Sequence, residues 1–265
     1  MSAQLATFAG RPAGARVLGA AGVVIALVIW QALPTLGIVS SDEIPGAVPV
    51  LRHFGELLFT ADFWGATGAT LAGAGLGFLL ATVIGGVIGT LMGSSLLASH
   101  ALTPIVEFLR PVPGVALIPV AILMFGPGLT SDVVLVTFGC VWVMIVQTFY
   151  GVRSVDPVAL QTARSFGLST GARIRFVQVP NALPFIATGM RISSSIALII
   201  AVTAELISGN TGLGSSIALM QSLGRVEDMY AYIIASGILG LLAHTVFARF
   251  ERRLLHWHQS QRTGV

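Results

Sequence analysis

The chain has 265 residues, of which 55% are hydrophobic and only 9% are charged, and its formal net charge is +3. Soluble domains carry about 25% charged residues, so this composition excludes a soluble globular fold and favours a protein surrounded by lipid. The arginines lie at the ends of apolar runs and form no basic face, which excludes a nucleic-acid-binding protein. The single cysteine, Cys140, lies in an apolar run; it excludes a disulfide framework and indicates a small packed side chain.

Six apolar segments are long enough to cross a membrane, because a helix needs roughly 20 apolar residues to span the hydrocarbon core. The sequence therefore predicts an all-α membrane protein with about six transmembrane helices. The predicted divisions are a tail 1–16, a transmembrane region 17–250 with spans 17–36, 66–92, 102–125, 133–150, 183–208 and 230–250, an internal loop 151–182 and a tail 251–265.

The third of these segments contains Arg110 and the prolines Pro104, Pro111, Pro113 and Pro119. Proline removes a backbone donor and clashes with the preceding turn of a helix. The segment is therefore predicted to be kinked or broken, with its freed carbonyl groups facing protein or water rather than lipid.

The distribution of arginines predicts the orientation of the spans. With a cytoplasmic N-terminus, ten arginines fall on the inner side, and only Arg52 and Arg225 fall on the outer side. Cytoplasmic loops of membrane proteins carry the excess of basic residues, so both termini are predicted to be cytoplasmic. Arg11 and Arg16 precede the first span as in a signal peptide, but 18–36 offers no small-residue cleavage site, which favours a retained span. The inner-side arginines are Arg11, Arg16, Arg153, Arg164, Arg173, Arg175, Arg249, Arg252, Arg253 and Arg262.

The second span carries small residues four positions apart, at Gly85, Gly89 and Gly93. Glycines at this spacing let two helix backbones approach closely. The pattern predicts helix packing, either against another helix of the same chain or against a second subunit.

The loop between the fourth and fifth spans has the end signals of two short helices. Asp156 can cap the first helix, Pro157 suits its first position, and Gly167 suits the left-handed residue after its end. A second helix is predicted to begin after Ser169 or Thr170 and to stop before Pro180. Residues 156–180, called the knob below, are thus predicted to form a helix–turn–helix unit roughly parallel to the membrane.

The knob resembles the EAA loop of ABC importer permeases, whose pattern is EAA-x3-G-x9-I-x-LP. The matching residues are Gln161-Thr162-Ala163, Gly167, Val177 and Val179-Pro180, and the spacing agrees at every anchor. Gln161 and Thr162 depart from the family pattern, which removes any ion pair made by the usual glutamate. The resemblance implies that the first helix of the knob docks in a cleft of an ATPase subunit. Arg164 would contribute a charged group to this contact, and Phe166 would be its apolar anchor. The alternative is an amphipathic helix lying on the lipid surface.

The resemblance extends over most of the chain and is loose only in the first 60 or so residues. It points to the MetI-like permeases of binding-protein-dependent transport systems, in their nitrate, sulfonate and taurine branch. The motifs are Leu109-Arg110-Pro111-Val112-Pro113, Ala116-Leu117-Ile118-Pro119, Phe125-Gly126, Gly151-Val152-Arg153-Ser154-Val155-Asp156-Pro157, Leu183-Pro184, Thr188-Gly189-Met190-Arg191-Ile192, Ala204-Glu205-Leu206-Ile207, Gly212-Leu213-Gly214 and Arg252-Arg253 with His256-Trp257.

This resemblance implies a type I ABC importer permease fold in the bacterial inner membrane. It implies a homodimer joined to two cytoplasmic ATPase subunits and an external substrate-binding protein. The solute would be small, with an anion such as a sulfonate, taurine or nitrate as the candidate class. ATP and Mg²⁺ would be used by the partner ATPase, and this chain would hold no cofactor.

Several polar residues inside the spans are candidates for the translocation path or its gate. A carboxylate in a membrane usually faces a cavity or a partner, so Glu205 either lines or braces the gate or forms local hydrogen bonds. The hydroxyls of Ser194 and Thr203 either line the path or satisfy helix backbone. Arg110 is expected to pair with Glu107, Arg191 to reach the cytoplasmic surface, and His244 to be packed rather than to bind metal.

Missing motifs also restrict the function. The chain has no GxxxxGK[ST] phosphate loop, no Ser–His–Asp arrangement and no HExxH, so it is predicted not to be an enzyme and to take its energy from a partner. An ion-gradient-driven secondary transporter is the alternative, although such proteins usually show an internal repeat and deep charged residues. A membrane enzyme or a passive scaffold is a weaker third possibility.

Overall fold

The structure is a computed structural model that describes residues 12–254, with side chains described for residues 17–253. Secondary structure in this part of the chain is helical, without strands. Arg11, Arg262 and the His256-Trp257 motif lie outside the described residues. The helices are α1 Pro12–Thr35, α2 Ala47–Leu57, α3 Ala61–Ser94, α4 Leu96–Leu109, a 3₁₀ turn Gly114–Leu117, α5 Ile118–Phe125, α6 Leu129–Arg153, α7 Pro157–Ser165, α8 Thr170–Arg173, a π turn Ile174–Gln178, α9 Val179–Ser208, α10 Leu213–Ser222 and α11 Val226–Leu254.

Five of the described helical segments are long and apolar enough to cross a membrane. A sixth crossing is possible if two consecutive pieces count as one broken span. The first piece is α4, and the second consists of the 3₁₀ turn and α5, at an angle of 82° to the first. The all-α fold is therefore confirmed. The five segments are Val17–Thr35, Ala61–Ser94, Leu129–Arg153, Thr170–Ser208 and Val226–Arg253.

The break in the third predicted span is also confirmed. Helix α4 ends at Leu109, and the chain turns before the 3₁₀ turn begins at Gly114. Pro111 and Pro113 stand in the break, where neither can donate a backbone hydrogen bond that would continue the helix.

The centre of the bundle is the contact between α3 and α6, and the glycine stripe makes that contact possible. A Cβ atom built on Gly85 would lie 2.5 Å from the Cβ of Met144, and one on Gly89 would lie 2.6 Å from the carbonyl oxygen of Ile145. A Cβ on Gly93 would lie 2.6 Å from the Cβ of Val152. The stripe therefore packs inside the chain, which decides between the two interpretations of these glycines.

Helices α3, α6 and α9 share the main hydrophobic core, to which they contribute Phe78, Val136 and Ala201 among other residues. Cys140 is fully buried there, and its Sγ lies 3.3 Å from the carbonyl oxygen of Ser193. The interpretation of Cys140 as a small packed side chain is confirmed. Helix α1 lies outside this core and exposes side chains such as Val23.

The prediction that the second knob helix stops before Pro180 is wrong. Helix α8, the π turn and α9 form one uninterrupted helical segment, Thr170–Ser208. In a regular α-helix the ring of Pro180 would clash with the carbonyl of Phe176. The π turn is wider, with the amide of Val179 donating to the carbonyl of Ile174, and it admits the proline without ending the helix.

Candidate functional site

The knob begins with a capped helix, as the sequence predicts. The carboxylate of Asp156 accepts a hydrogen bond from the amide of Val158 at 2.8 Å, and Pro157 is the first residue of α7. The cap satisfies one of the free amides at the start of a helix, where proline lacks a donor in any case. The start of α7 is thus determined by its own sequence.

The end of α7 is a Schellman motif around Gly167. The φ angle of Gly167 is +76°, in the left-handed region that favours glycine. The amide of Gly167 donates to the carbonyl of Arg164 at 2.9 Å, and the amide of Leu168 donates to that of Ala163 at 3.1 Å. The second helix then starts at Ser169, whose hydroxyl accepts from the amide of Ala172 at 3.3 Å.

The two ends of the knob are joined to each other at the base of the bundle. The side-chain amide of Asn181 donates to the hydroxyl of Ser154 at 3.0 Å. A Cβ on Gly151 would lie 3.0 Å from the Cα of Ala182, so α6 and α9 touch backbone to backbone here. The sequence analysis missed this junction, although Gly151 and Ala182 are the small residues that permit it.

The knob exposes large apolar side chains away from the core. Phe166 is 80% exposed and Phe176 is 66% exposed, and the guanidinium of Arg175 lies 5.6 Å from the ring centre of Phe176. Gln161, Arg164 and the proline at 180 are also exposed. Ala163, in contrast, is buried, so its small side chain serves packing within the chain and does not belong to the exposed surface.

A second polar cluster lies at the end of α9 opposite the knob. Glu205 is 1% exposed, and its Oε2 accepts hydrogen bonds from the hydroxyl of Thr70 at 2.9 Å and the amide of Gly214 at 3.0 Å. The Thr70 hydroxyl also accepts from the amide of Leu213 at 2.9 Å. The carboxylate therefore joins α3, α9 and α10, and it does not line an open path in the single chain.

The glycines of the Gly212-Leu213-Gly214 motif leave room for this carboxylate. A Cβ on Gly212 would lie 2.1 Å from Cδ of Glu205, and one on Gly214 would lie 2.1 Å from the carbonyl oxygen of Val202. Both distances are far below van der Waals contact, so any larger residue would displace α10 from α9.

Asp132 and Asn210 form a third polar group that the sequence analysis missed. The amide nitrogen of Asn210 donates to Asp132 at 2.8 Å and lies 3.3 Å from the Ser131 hydroxyl and from the Gly128 carbonyl. Both side chains are buried beside a cavity of about 200 Å³. These bonds attach the α9–α10 turn to the start of α6.

The two hydroxyl candidates for the path have different environments. Ser194 is buried, and its hydroxyl donates to the carbonyl of Arg191 at 2.8 Å. Thr203 lines an open groove of about 380 Å³ between α9 and α11, together with Ser195 and Ser236. Thr203 also bonds its own helix, donating to the carbonyl of Ile199 at 2.7 Å, and it differs from Ser194 in lining an accessible and mainly apolar groove.

Two of the expectations about charged residues are wrong, those for Arg110 and His244. Arg110 and Glu107 line the same small cavity but form no ion pair among the described residues. The side chain of Arg191 is 38% exposed and pairs with the buried carboxylate of Glu251 at 3.4 Å, so its predicted reach to the cytoplasmic surface stays a prediction. His244 is exposed rather than packed. Within the described chain, no group of three His, Cys, Asp or Glu residues could hold a metal.

A bundle of five or six apolar spans with a structured knob between α6 and α9 defines the membrane subunit of a solute transporter. Residues 77–256 match the family model described as the binding-protein-dependent transport system inner membrane component. The match covers more than half of the chain, so the chain belongs to this family.

Curated permeases are similar to this chain over most of their own length. The chain is 33% identical over 236 residues to a Bacillus subtilis (strain 168) protein named as an aliphatic sulfonates transport permease, SsuC, covering 89% of this chain and 86% of that protein. It is 30% identical to the taurine transport system permease protein TauC of Escherichia coli (strain K12), covering 88% and 87%. A riboflavin transport system permease protein, RibX of Chloroflexus aurantiacus, is 29% identical and covers 90% and 89%.

Solved structures agree with the fold. An inward-facing MetNI methionine ABC transporter chain has a TM-score of 0.63 at 20% identity, covering 70% of this chain and 93% of that one. A bacterial alginate ABC transporter, solved with an alginate-bound periplasmic protein, has a TM-score of 0.62 at 15% identity, covering 94% and 96%. These structures agree with the fold, and the family match and the curated permease relatives show that the chain is the membrane-spanning subunit of an ABC importer, in which the ATPase is a separate subunit. The secondary transporter is excluded.

Proposed function

We propose that the knob binds a cytoplasmic ATPase subunit and that conformational changes of the ATPase move the permease through this contact. The observation that carries this proposal is the capped pair of helices at 156–180, which exposes Phe166 at 80% and Phe176 at 66%. Large exposed apolar side chains near charged ones are typical of a protein-binding surface. ATP and Mg²⁺ would belong to the ATPase.

The orientation in this proposal follows from the arginines. The knob carries Arg164, Arg173 and Arg175, and placing it in the cytoplasm agrees with the excess of basic residues on that side of membrane proteins. Both termini are then cytoplasmic, and the Glu205 cluster faces the outside. A bacterial cytoplasmic membrane is the location that the family description supports.

The complete importer would contain two copies of this chain, two ATPase subunits and one external binding protein. The alginate transporter of similar fold was solved with a periplasmic protein, which supports the external partner. A single copy leaves the groove of Ser195, Thr203 and Ser236 open on one side. A second copy facing this groove would close it into a path whose mainly apolar lining includes these three hydroxyl-bearing residues.

The proposed solute is a small organic sulfonate such as taurine. Two relatives with this class of solute in their names share 33% and 30% identity with the chain. The lining of the groove has no charged side chain, so it places no fixed negative charge beside an anion. Glu205 is buried away from the groove, so it would not repel an anion there.

The test is reconstitution of the chain in proteoliposomes with candidate ATPase and binding-protein subunits from the same organism. Hydrolysis of ATP should rise when the binding protein and taurine or an alkanesulfonate are both present. Labelled taurine should cross the proteoliposome membrane only when ATP is supplied, and it should accumulate on the side of the membrane that holds the ATPase. If the chain never co-purifies with the ATPase, the docking role of the knob is refuted. If the chain co-purifies with the ATPase but only other solutes stimulate ATP hydrolysis, the sulfonate proposal alone is refuted.

A further inference from the structure

One helical segment connects the knob to the polar cluster at the other end of the bundle. The segment Thr170–Ser208 has 39 residues and is not interrupted by Pro180 or Pro184. With a rise of about 1.5 Å per residue, Glu205 lies roughly 50 Å along this segment from Thr170. The knob and the neighbourhood of Glu205 are therefore connected by continuous helix.

Glu205 belongs to α9, but its carboxylate caps the N-terminus of α10. Helix α10 begins at Leu213, and the amide of its second residue, Gly214, donates to the Glu205 carboxylate at 3.0 Å. The first amides of a helix have no partner inside it, and the helix dipole attracts an anion there. The carboxylate thus attaches the start of α10 to the end of α9.

Thr70 adds the third helix to this attachment. It is fully buried, donates to Glu205 at 2.9 Å and accepts from the amide of Leu213 at 2.9 Å. One hydroxyl therefore joins α3 to the carboxylate and to the first residue of α10. The absence of side chains at Gly212 and Gly214 lets all these groups approach without a gap.

We infer that Glu205 is a positioning residue that attaches α10 and α3 to the end of α9 that lies opposite the knob. Closure of the ATPases would then move this end of the bundle as well. This inference rests on the proposed docking of the knob. The Glu205 carboxyl group accepts two directional hydrogen bonds, and the bridging Thr70 hydroxyl accepts a third, all at a buried site. These bonds resist sliding of α9 against α10 and α3 more than a purely apolar contact would.

The experiment compares variants of the whole importer in proteoliposomes. The readout is the ratio of ATP hydrolysis with the loaded binding protein to hydrolysis without it. Glu205→Ala removes both acceptor bonds, whereas Glu205→Gln keeps one oxygen for both donors. Thr70→Val removes the bridging hydroxyl, and Thr70→Ser keeps it. Matched controls are Glu56→Ala on the exposed surface of α2, and Thr245→Val in α11, whose hydroxyl donates to its own helix at 2.7 Å.

Glu205→Ala and Thr70→Val should lower the stimulation ratio about fivefold or more, which is the lower range of allosteric coupling, while co-purification with the ATPase is kept. Glu205→Gln and Thr70→Ser should restore most of the ratio, and both controls should leave it unchanged. A merely structural role would lower yield and thermal stability with an unchanged ratio, which would overturn the inference. If wild type itself shows no stimulation, the proposed function fails instead.

Discussion

At the scale of single residues, the knob depends on one left-handed position. Gly167 has φ +76° and open space around it, so strain rather than crowding would limit a replacement. Gly171, four residues later, lies inside α8 with open space around it and without a positive φ. The two glycines differ only in the backbone conformation that they must adopt.

Gly167→Ala should therefore weaken the end of α7 by about 1 kcal/mol, the cost of a left-handed conformation for an L-residue. The expected result is reduced co-purification of the ATPase with an intact, detergent-stable bundle. Gly171→Ala is the control and should leave the association unchanged. Equal effects of the two substitutions would contradict the importance of the left-handed turn.

The exposed phenylalanine of the knob provides a second prediction at this scale. Phe166→Ala should reduce binding of the ATPase, because a large exposed aromatic side chain contributes strongly to a protein interface. A drop of at least tenfold in affinity, about 1.4 kcal/mol, is expected. The measurement is titration of detergent-solubilised permease with labelled ATPase.

The matched control is Phe59→Ala, which removes an even more exposed phenylalanine, 93% accessible, from the segment after α2. This variant should bind the ATPase like the wild type. If both substitutions weaken binding equally, the effect comes from detergent or folding and not from the knob.

At the scale of helices, the contact between α3 and α6 should be the most sensitive part of the bundle. Gly89→Ala would place a Cβ 2.6 Å from the carbonyl oxygen of Ile145, and overpacking of this kind costs about 1–3 kcal/mol. Gly86→Ala, three residues earlier in the same helix, meets nothing within 4 Å. Thermal unfolding in detergent should show a lower midpoint for Gly89→Ala only.

Gly86→Ala should be neutral or slightly stabilising, because alanine is favoured over glycine in a helix by up to about 1 kcal/mol. A loss of stability in Gly86→Ala as large as in Gly89→Ala would show that α3 packs through another face. A loss in neither would show that α3 and α6 are not in close contact.

The helical elements also show where sequence patterns mislead. Pro111 and Pro113 break a helix, while Pro180 lies within the uninterrupted segment Thr170–Ser208. A third outcome is that of Pro184, which lies inside α9 without ending it. The local proline pattern alone does not say which of these outcomes occurs.

At the scale of the whole molecule, the orientation can be tested with thiol labelling. The only native cysteine, Cys140, is fully buried and should not react. Ser165→Cys places a thiol at the end of α7, and Ser222→Cys places one at the end of α10. With a cytoplasmic knob, a membrane-impermeant maleimide added to intact spheroplasts should label only the cysteine at position 222.

After the membranes are opened, the cysteine at position 165 should react as well, which serves as the control for accessibility. Labelling of position 165 in intact spheroplasts would reverse the proposed orientation. It would also place the arginine excess on the outer side, against the usual distribution.

Composition and local pattern alone determined a large part of this protein. The shortage of charge predicts a membrane protein, and the apolar runs predict its spans. The signals at Asp156, Pro157 and Gly167 predict α7 correctly, because capping and left-handed turns involve neighbours within a few residues. These features need no information about the rest of the chain.

Only the tertiary structure decided which distant groups meet. The glycine stripe packs on α6, Glu205 joins Thr70 and Gly214, and Arg191 pairs with Glu251. Each contact links residues far apart in the chain, and a single helix pattern cannot show which partner faces its polar groups. The sequence placed Glu205 in a span; the fold determined that its carboxylate is a buried attachment between three helices and not part of an open path.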